Sequence, residues 1–216
     1  MNIDYDFNLL AYEKVSLSNE LTSKEIRSLV KTETSLPVRR MDTFTLISLL
    51  AVHRLLNNPS IRSTLSDKLS LYSAAEYLSV DLFQSVLTSM HNNESIRPFD
   101  FIATVGNAAN FYIAKEFTIK GPNIFIGASE KPFLKSCILA EIDFLEGHSS
   151  QAIIIVWSVT NTTQECYAFI IGKSVIDNSA VELNDLSNNN EELLNIDTFI
   201  NKGLSIPTPC RINNVF

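Results

Sequence analysis

Hydrophobic residues recur at strand-like or helical spacing along most of the chain. Apolar runs predict strands at residues 8–15, 69–74 and 123–128, and in the segments QAIIIVWSV and ECYAFIIGKS. Helical spacing predicts helices at residues 23–30, 43–56, 79–91, 107–117 and 191–200, and in the segment SEKPFLKSCILAEIDFLEG. The alternation of strands with helices predicts an α/β domain.

The clearest unit is the strand NIFIGA, the helix after it and the strand QAIIIVWSV. A crossover of this kind places its two strands parallel in one sheet, with the helix packed across a face. Leu134, Ile138, Ile142 and Leu145 align on the helix and predict its buried face, and Gly147 predicts its end.

Two earlier segments give further expectations. Val80, Phe83, Leu87 and Met90 predict the buried face of the helix at 79–91. The segment PFDFIATVGNAANFYIAKEF predicts a short strand, a break, and a helix capped by Asn107.

Composition limits the number of domains and the kinds of partner. The 216 residues, 45% of them hydrophobic, suit one domain, with residues 1–177 as its body and the Asn-rich residues 178–216 as a peripheral extension. The formal net charge of -7 excludes nucleic acid and membranes as partners. The acidic N-terminus does not resemble a secretory signal, so we expect a cytoplasmic protein.

The cysteines and histidines do not form a recognisable reactive or metal-binding pattern. Cys137 is predicted to be a small core residue, and neither Cys166 nor Cys210 has a base or a ligand at metal-site spacing nearby. We expect structural or solvated roles for the three histidines, which are His53, His91 and His148.

Three segments carry a family resemblance: LPVRRMDTFT, PFDFIATVGNAANFYIAKEFTIKGPN, and the strand, turn and helix that follow. Together they resemble the N-terminal half of the β-ketoacyl synthases of the thiolase fold. The resemblance implies a single thiolase-like half, with a mixed, largely parallel sheet covered by helices and without the C-terminal half. Counting on from Gly121-Pro122-Asn123, Glu130 falls where that family places its nucleophilic cysteine.

A carboxylate cannot begin the thioester exchange that a thiolate performs at this position. The resemblance therefore implies a subunit without catalytic residues, cofactor or metal. The chain is similar to the short chain-length factors of type II polyketide systems. Among these systems, aryl polyene assembly is the leading expectation. In chain-length factors generally the substitution is glutamine, so Glu130 departs from the pattern and argues against a decarboxylating role.

The implied partner is an active ketosynthase, which would also make the contact with the acidic acyl carrier protein. By family analogy the strand after Gly-Pro-Asn lies at the dimer interface. The implied interface residues are Asn123, Ile124, Phe125, Ile126, Gly127 and Ala128. Neighbouring helices supply candidates for closing the far end of an acyl tunnel, namely Leu82, Phe83, Val86, Leu87, Met90, Phe111 and Phe117.

Two alternatives remain open at this stage. In one, Glu130 is a general acid or base acting on an acyl thioester, which a buried carboxyl with a raised pKa could do. In the other, the chain forms a homodimer that binds an acyl chain or carrier and regulates.

Overall fold

A computed structural model describes residues 6–36, 38–39, 41–75, 80–127, 131–173, 181–182, 196 and 200. The strands are β1 (Asp6–Ser18), β2 (Leu69–Ala75), β3 (Asn123–Gly127), β4 (Gln151–Val159), β5 (Thr163–Lys173) and β6 (Val181–Glu182). The helices are α1 (Ser23–Thr34), α2 (Thr43–Leu56), α3 (Pro59–Arg62), α4 (Val80–His91), α5 (Pro98–Ala103), α6 (Ala108–Phe117) and α7 (Pro132–Leu145).

The six strands form one mixed sheet in the order β3-β2-β4-β5-β1-β6. β2 pairs in parallel with β3 on one side and with β4 on the other. β5 runs antiparallel to β4 and to β1. The predicted βαβ unit is therefore confirmed, and β2 lies between its two strands.

Helices cover both faces of the sheet, and each face has its own hydrophobic core. On one face α1, α2 and α6 pack over residues such as Leu71, Ile153 and Ile155. On the other face α7 packs over residues that include Tyr72 and Ile154. Because neighbouring residues of β2 and β4 point to opposite faces, these strands are buried on both sides and read as continuous apolar runs.

Capping residues explain where the first two helices begin. Thr22 and Glu25 form a reciprocal capping box at the start of α1. At α2, Oδ1 of Asp42 accepts a hydrogen bond from the backbone N–H of Thr45 at 3.3 Å. The bounds of α2 match the prediction, whereas α1 runs four residues further than predicted.

The short strand predicted after residue 97 is wrong, because Pro98–Ala103 forms the helix α5. Pro98 occupies the first helical position, where its missing N–H and fixed φ suit a helix. Asn107 is the N-cap of α6 as predicted, although its side chain makes no capping hydrogen bond.

The predicted buried faces of α4 and α7 are only partly correct, since Leu134 and Ile138 of α7 do pack against the core. In α4, Val86 is buried while Leu87 and Met90 are exposed. The face of α7 that meets the sheet consists of Phe133, Cys137, Ala140 and Phe144, whereas Ile142 and Leu145 of the predicted stripe are exposed. The observed and predicted stripes of α7 are offset by one or two residues, and small Cys137 and Ala140 let the helix approach the sheet closely.

The C-terminal region is described at four positions. Val181 and Glu182 form β6 beside the start of β1. Ile196 and Ile200 are helical, and Ile196 is fully buried in the core under α7. At least one residue of the 178–216 extension thus belongs to the core. None of the helices within the described ranges has the length and apolarity that crossing a bilayer requires.

Candidate functional site

The Gly-Pro-Asn segment fixes the start of β3. A side chain at Gly121 would place its Cβ 2.3 Å from the carbonyl oxygen of Leu69, so only glycine allows the backbone this close to β2. The N–H of Gly121 donates to the Leu69 carbonyl at 3.0 Å, and the Pro122 carbonyl accepts from the N–H of Leu71 at 2.8 Å. The parallel pairing of β2 with β3 begins at these two bonds.

β3 is an edge strand with one unpaired side. The Pro122 carbonyl points towards β2, and backbone groups of successive residues in a strand point to alternate sides. The N–H and C=O groups of Asn123, Phe125 and Gly127 therefore point away from β2. Within the described part of the chain only β2 pairs with β3. This edge can accept one further strand by main-chain hydrogen bonding.

A buried side chain of α6 holds β3 in place. Asn110 of α6 is fully buried, and its Nδ2 donates to the backbone carbonyl of Ile124 at 3.0 Å. This carbonyl already faces β2, so the bond from Asn110 leaves the outward groups of β3 available. The edge is thus fixed in position without being covered.

Exposed apolar side chains are concentrated on and between the three helices that precede β3 in the chain, of which α6 contacts β3 and α4 packs on α5. Of the ten exposed large hydrophobic residues in the described ranges, seven lie between positions 87 and 124. One of the seven, Ile124, lies on β3. The other six form a set that we call the α4–α6 surface: Leu87, Met90, Phe101, Ile102, Val105 and Phe111. Phe101, Ile102 and Val105 were not predicted as surface residues, because their segment was assigned to a short strand and a break.

The predicted tunnel-lining residues differ in exposure and do not all lie together in the structure. Leu87, Met90 and Phe111 belong to the α4–α6 surface, with exposures of 61%, 56% and 59%. Leu82 and Phe83 are half-buried on α4, and Val86 is buried. All of these residues precede β3 in the chain. Phe111 lies on α6, which contacts β3, and the others lie on α4, which packs against α5.

Phe117 is not brought together with the other candidates. Its ring lies 6.5 Å from that of His53 on α2, and it lines a cavity of about 280 Å³ together with Leu36, Leu56 and Leu65. Four residues after Phe117, Gly121 contacts the first residue of β2. Phe117 therefore lies at the amino-terminal end of β2 and β3, opposite Gly127.

The predicted nucleophile position, Glu130, lies outside the described residues, as does Ala128. The next residue, Lys131, is the N-cap of α7 and has the left-handed backbone angles φ 51° and ψ 53°. Position 130 thus directly precedes the N-cap of α7. A non-glycine residue in this conformation is uncommon.

Cys137 is a core residue, as predicted, and Cys166 also lies in the core. Both Cys137 and Cys166 are fully buried and free of disulfides. Burial raises the pKa of the Cys166 thiol to about 12, so it stays protonated at physiological pH. Cys210 lies outside the described residues. Among the residues that are described, no cluster of three or more His, Cys, Asp or Glu side chains could hold a metal.

Neither a protein-family model nor a curated protein matches the sequence. Solved structures do match the fold. The ishigamide ketosynthase/chain length factor has a TM-score of 0.64 at 11% identity, with 81% of this chain and 64% of that chain covered. A complex of the ketosynthase ApeO with its chain length factor ApeC from Xenorhabdus doucetiae has a TM-score of 0.55 at 13% identity, with coverages of 78% and 79%.

A third match, the Streptomyces albus JA3453 oxazolomycin ketosynthase domain OzmH KS7, has a TM-score of 0.55 at 9% identity. It covers 82% of this chain but only 45% of that chain. The chain also spans less than two thirds of the ishigamide protein chain that it matches. The predicted fold class is confirmed: the chain has the α/β fold of one ketosynthase-like half.

Proposed function

We propose that this chain is a non-catalytic chain-length factor subunit that pairs with an active ketosynthase and completes its acyl tunnel. The observation that carries the proposal is the free edge of β3 lying beside the α4–α6 surface. An unpaired strand edge flanked by exposed Leu, Met and Phe side chains does not stabilise a monomer. A partner subunit that continues the sheet and covers these side chains accounts for both features.

The fold similarity supports this choice of partner. Two of the similar structures are a ketosynthase/chain length factor and a ketosynthase in complex with its chain length factor. In the second, nearly equal shares of the two chains are covered, as expected for chains of similar length. We therefore assign the chain to the short type of chain-length factor, in type II polyketide and, more specifically, aryl polyene biosynthesis in the cytoplasm.

The interface in this proposal consists of residues 123–128 and the α4–α6 surface. The outward backbone groups of Asn123, Phe125 and Gly127 pair with the corresponding strand of the ketosynthase. The acyl carrier protein binds the ketosynthase, because this chain, with a net charge of -7, repels an acidic carrier. The subunit contributes shape, and the partner contributes the chemistry.

Ile124→Lys tests the interface. Ile124 is 40% exposed and keeps its backbone bonds to β2, so the substitution leaves the fold intact. In the complex it places an unpaired charge next to the joined strands. We expect at least about tenfold weaker binding, corresponding to about 1.4 kcal/mol. Binding is measured by titration against a purified type II ketosynthase that forms a complex with the unchanged chain, with light scattering to establish a 1:1 mass.

Val159→Lys is the matched control, since Val159 is also exposed but lies at the end of β4, away from the β3 edge. It should bind as tightly as the unchanged protein. Equal binding of Ile124→Lys and Val159→Lys would remove β3 from the interface. A stable monomer that binds no ketosynthase would overturn the proposed function itself.

Glu130→Gln separates this proposal from an enzyme that uses Glu130 as an acid or base. If the chain has no catalytic role, the reconstituted complex keeps its turnover and product length, because the substitution preserves size and removes only the charge. A catalytic role predicts a fall of at least about 100-fold, as is usual for loss of a general acid or base. The control replaces the nucleophilic cysteine of the ketosynthase, which should abolish turnover.

A further inference from the structure

The ring of Phe125 is wedged between two glycines at the edge of the sheet. A Cβ on Gly106, in the loop between α5 and α6, would lie 2.0 Å from Cε1 of Phe125. A Cβ on Gly127 would lie 2.3 Å from the same atom. Real Cβ atoms do not approach an aromatic carbon this closely, so both positions need glycine as long as the ring is there. The local backbone is built around this one side chain.

Phe125 is the first member of a row of three aromatic rings. Its ring meets Phe44 edge to face, with centroids 6.1 Å apart and planes at 85°. Phe44 in turn lies 4.7 Å from Trp157. The indole N–H of Trp157 donates to Oγ of Ser48 at 2.9 Å. Contacts of this kind favour defined ring orientations, so the row is a preformed surface.

The row lies at the carboxyl end of the parallel strands. Gly127 ends β3, Trp157 lies near the end of β4, and Phe44 lies in the first turn of α2. This is also the end of the sheet at which α7 begins, and in α/β sheets ligands bind at the carboxyl ends of the strands. All three rings are half-buried, so part of each remains exposed. Of the three, Phe125 lies on the edge strand that the proposed partner would join.

The chemistry of the row favours a hydrocarbon ligand. The rings have no hydrogen-bonding group other than the indole N–H, and Ser48 already accepts from it. A chain rich in keto oxygens would leave those oxygens unpaired against this surface, which is costly. An extended, unsaturated acyl chain would instead pack its apolar faces on the rings.

Resting on the proposed function, we propose that Phe125 ends the acyl tunnel of the complex, so that the volume of this side chain sets the maximum length of a hydrocarbon or polyene product. Gly106 and Gly127 hold the ring across the path of the chain. Phe44 and Trp157 form the wall behind it, which the acyl chain reaches when Phe125 is made smaller. Further methylenes cannot enter a filled cavity without strain.

The test is the length distribution of products from the reconstituted complex, measured by mass spectrometry, for Phe125→Leu, Phe125→Ala and Phe125→Trp. We expect the longest product to gain at least one extension unit in the Phe125→Leu and Phe125→Ala variants. In the Phe125→Trp variant it should lose at least one. Phe117→Ala is the matched control, because it makes the same change at the opposite end of the sheet, and it should leave the distribution unchanged.

Gly106→Ala provides an independent arm. Its methyl group would displace the Phe125 ring, so products should shorten or the complex should weaken. Gly106→Ala combined with Phe125→Leu should restore both binding and product length, because the smaller side chain leaves room for the methyl group. No restoration would mean that the contact between positions 106 and 125 does not govern length.

Light scattering of every variant with the ketosynthase separates the two proposals. If the unchanged chain forms no complex, the proposed function fails. If the Phe125 variants form 1:1 complexes and their products keep the original length, the assignment of Phe125 fails while the proposed function stands. Should Phe125→Ala lose the complex, Phe125→Leu, which keeps an apolar side chain on the edge strand, decides the result.

Discussion

Arg54 links three elements through its guanidinium group. Its Nε and Nη2 donate to the two carboxylate oxygens of Glu33 at 2.9 and 2.8 Å, which ties α2 to α1. Glu13 of β1 lies further away, with 3.9 Å between Nη1 and Oε1. The hydrogen bonds from Arg54 lower the pKa of Glu33, whereas burial raises the pKa of Glu13. One arginine therefore stabilises the charge of one carboxylate much better than that of the other.

Glu33→Gln should lower the free energy of unfolding at neutral pH by less than about 1 kcal/mol, because both partners are about one third exposed. The folded-state pKa of Glu33 is lowered, so its contribution is fully present above its ordinary pKa of 4.5 and is lost as the pH falls through the lowered value. Urea titrations from pH 7 to pH 3 should show the two proteins converging in acid.

Glu20→Gln, which changes an exposed carboxylate in the turn after β1, is the control and should change little at any pH. The difference caused by Glu33→Gln should also shrink in 1 M salt, where exposed charges are screened. A difference that persists unchanged at pH 3 would contradict the ion pair as its cause.

At the level of elements, local signals predicted what local interactions decide. The predicted bounds of α2 are correct, and local interactions account for them: Asp42 caps its start, and Asn57-Asn58-Pro59 follows its end. The parallel crossover through α7 was also predicted, since it depends on a short stretch of sequence. β3 was predicted from the apolar run NIFIGA, and the family resemblance placed it at the dimer interface.

Features decided by tertiary packing were not predictable from spacing. α7 carries two apolar stripes offset by one or two residues, and only the approach of the sheet selects the stripe with Cys137 and Ala140. The α5 segment is short and apolar, so spacing alone could not separate a helix from a strand. The row formed by Phe44, Phe125 and Trp157 joins three distant parts of the chain, and no local pattern reveals it.

At the scale of the whole molecule, the two halves of the sheet differ in how they are covered. β4 and β5 in the middle are buried on both faces, and their apolar residues belong to the two cores. Towards β3 the cover becomes incomplete, because α4 and α5 pack mainly on each other and leave the α4–α6 surface exposed. The centre of the sheet is therefore covered on both faces, whereas the side that the proposed partner would cover leaves apolar side chains exposed.

This asymmetry predicts the behaviour of the isolated chain. Without its partner the protein should self-associate, because burying exposed Leu and Phe side chains against one another is favourable. The double variant Leu87→Ser and Phe111→Ser should be less self-associated at equal concentration in sedimentation velocity. Its melting temperature should stay unchanged, since these side chains are about 60% exposed and contribute little to the core.

The same double variant should also bind the ketosynthase more weakly, because one surface accounts for both kinds of association. Ile142→Ser with Leu145→Ser, an equally apolar pair on α7, is the comparison and should leave binding of the ketosynthase intact. If the α7 pair abolished that binding and the α4–α6 pair did not, the interface would lie on the other face of the sheet. Equal loss in both variants would instead point to a general effect of lowered hydrophobicity, and the α4–α6 surface would lose its special role.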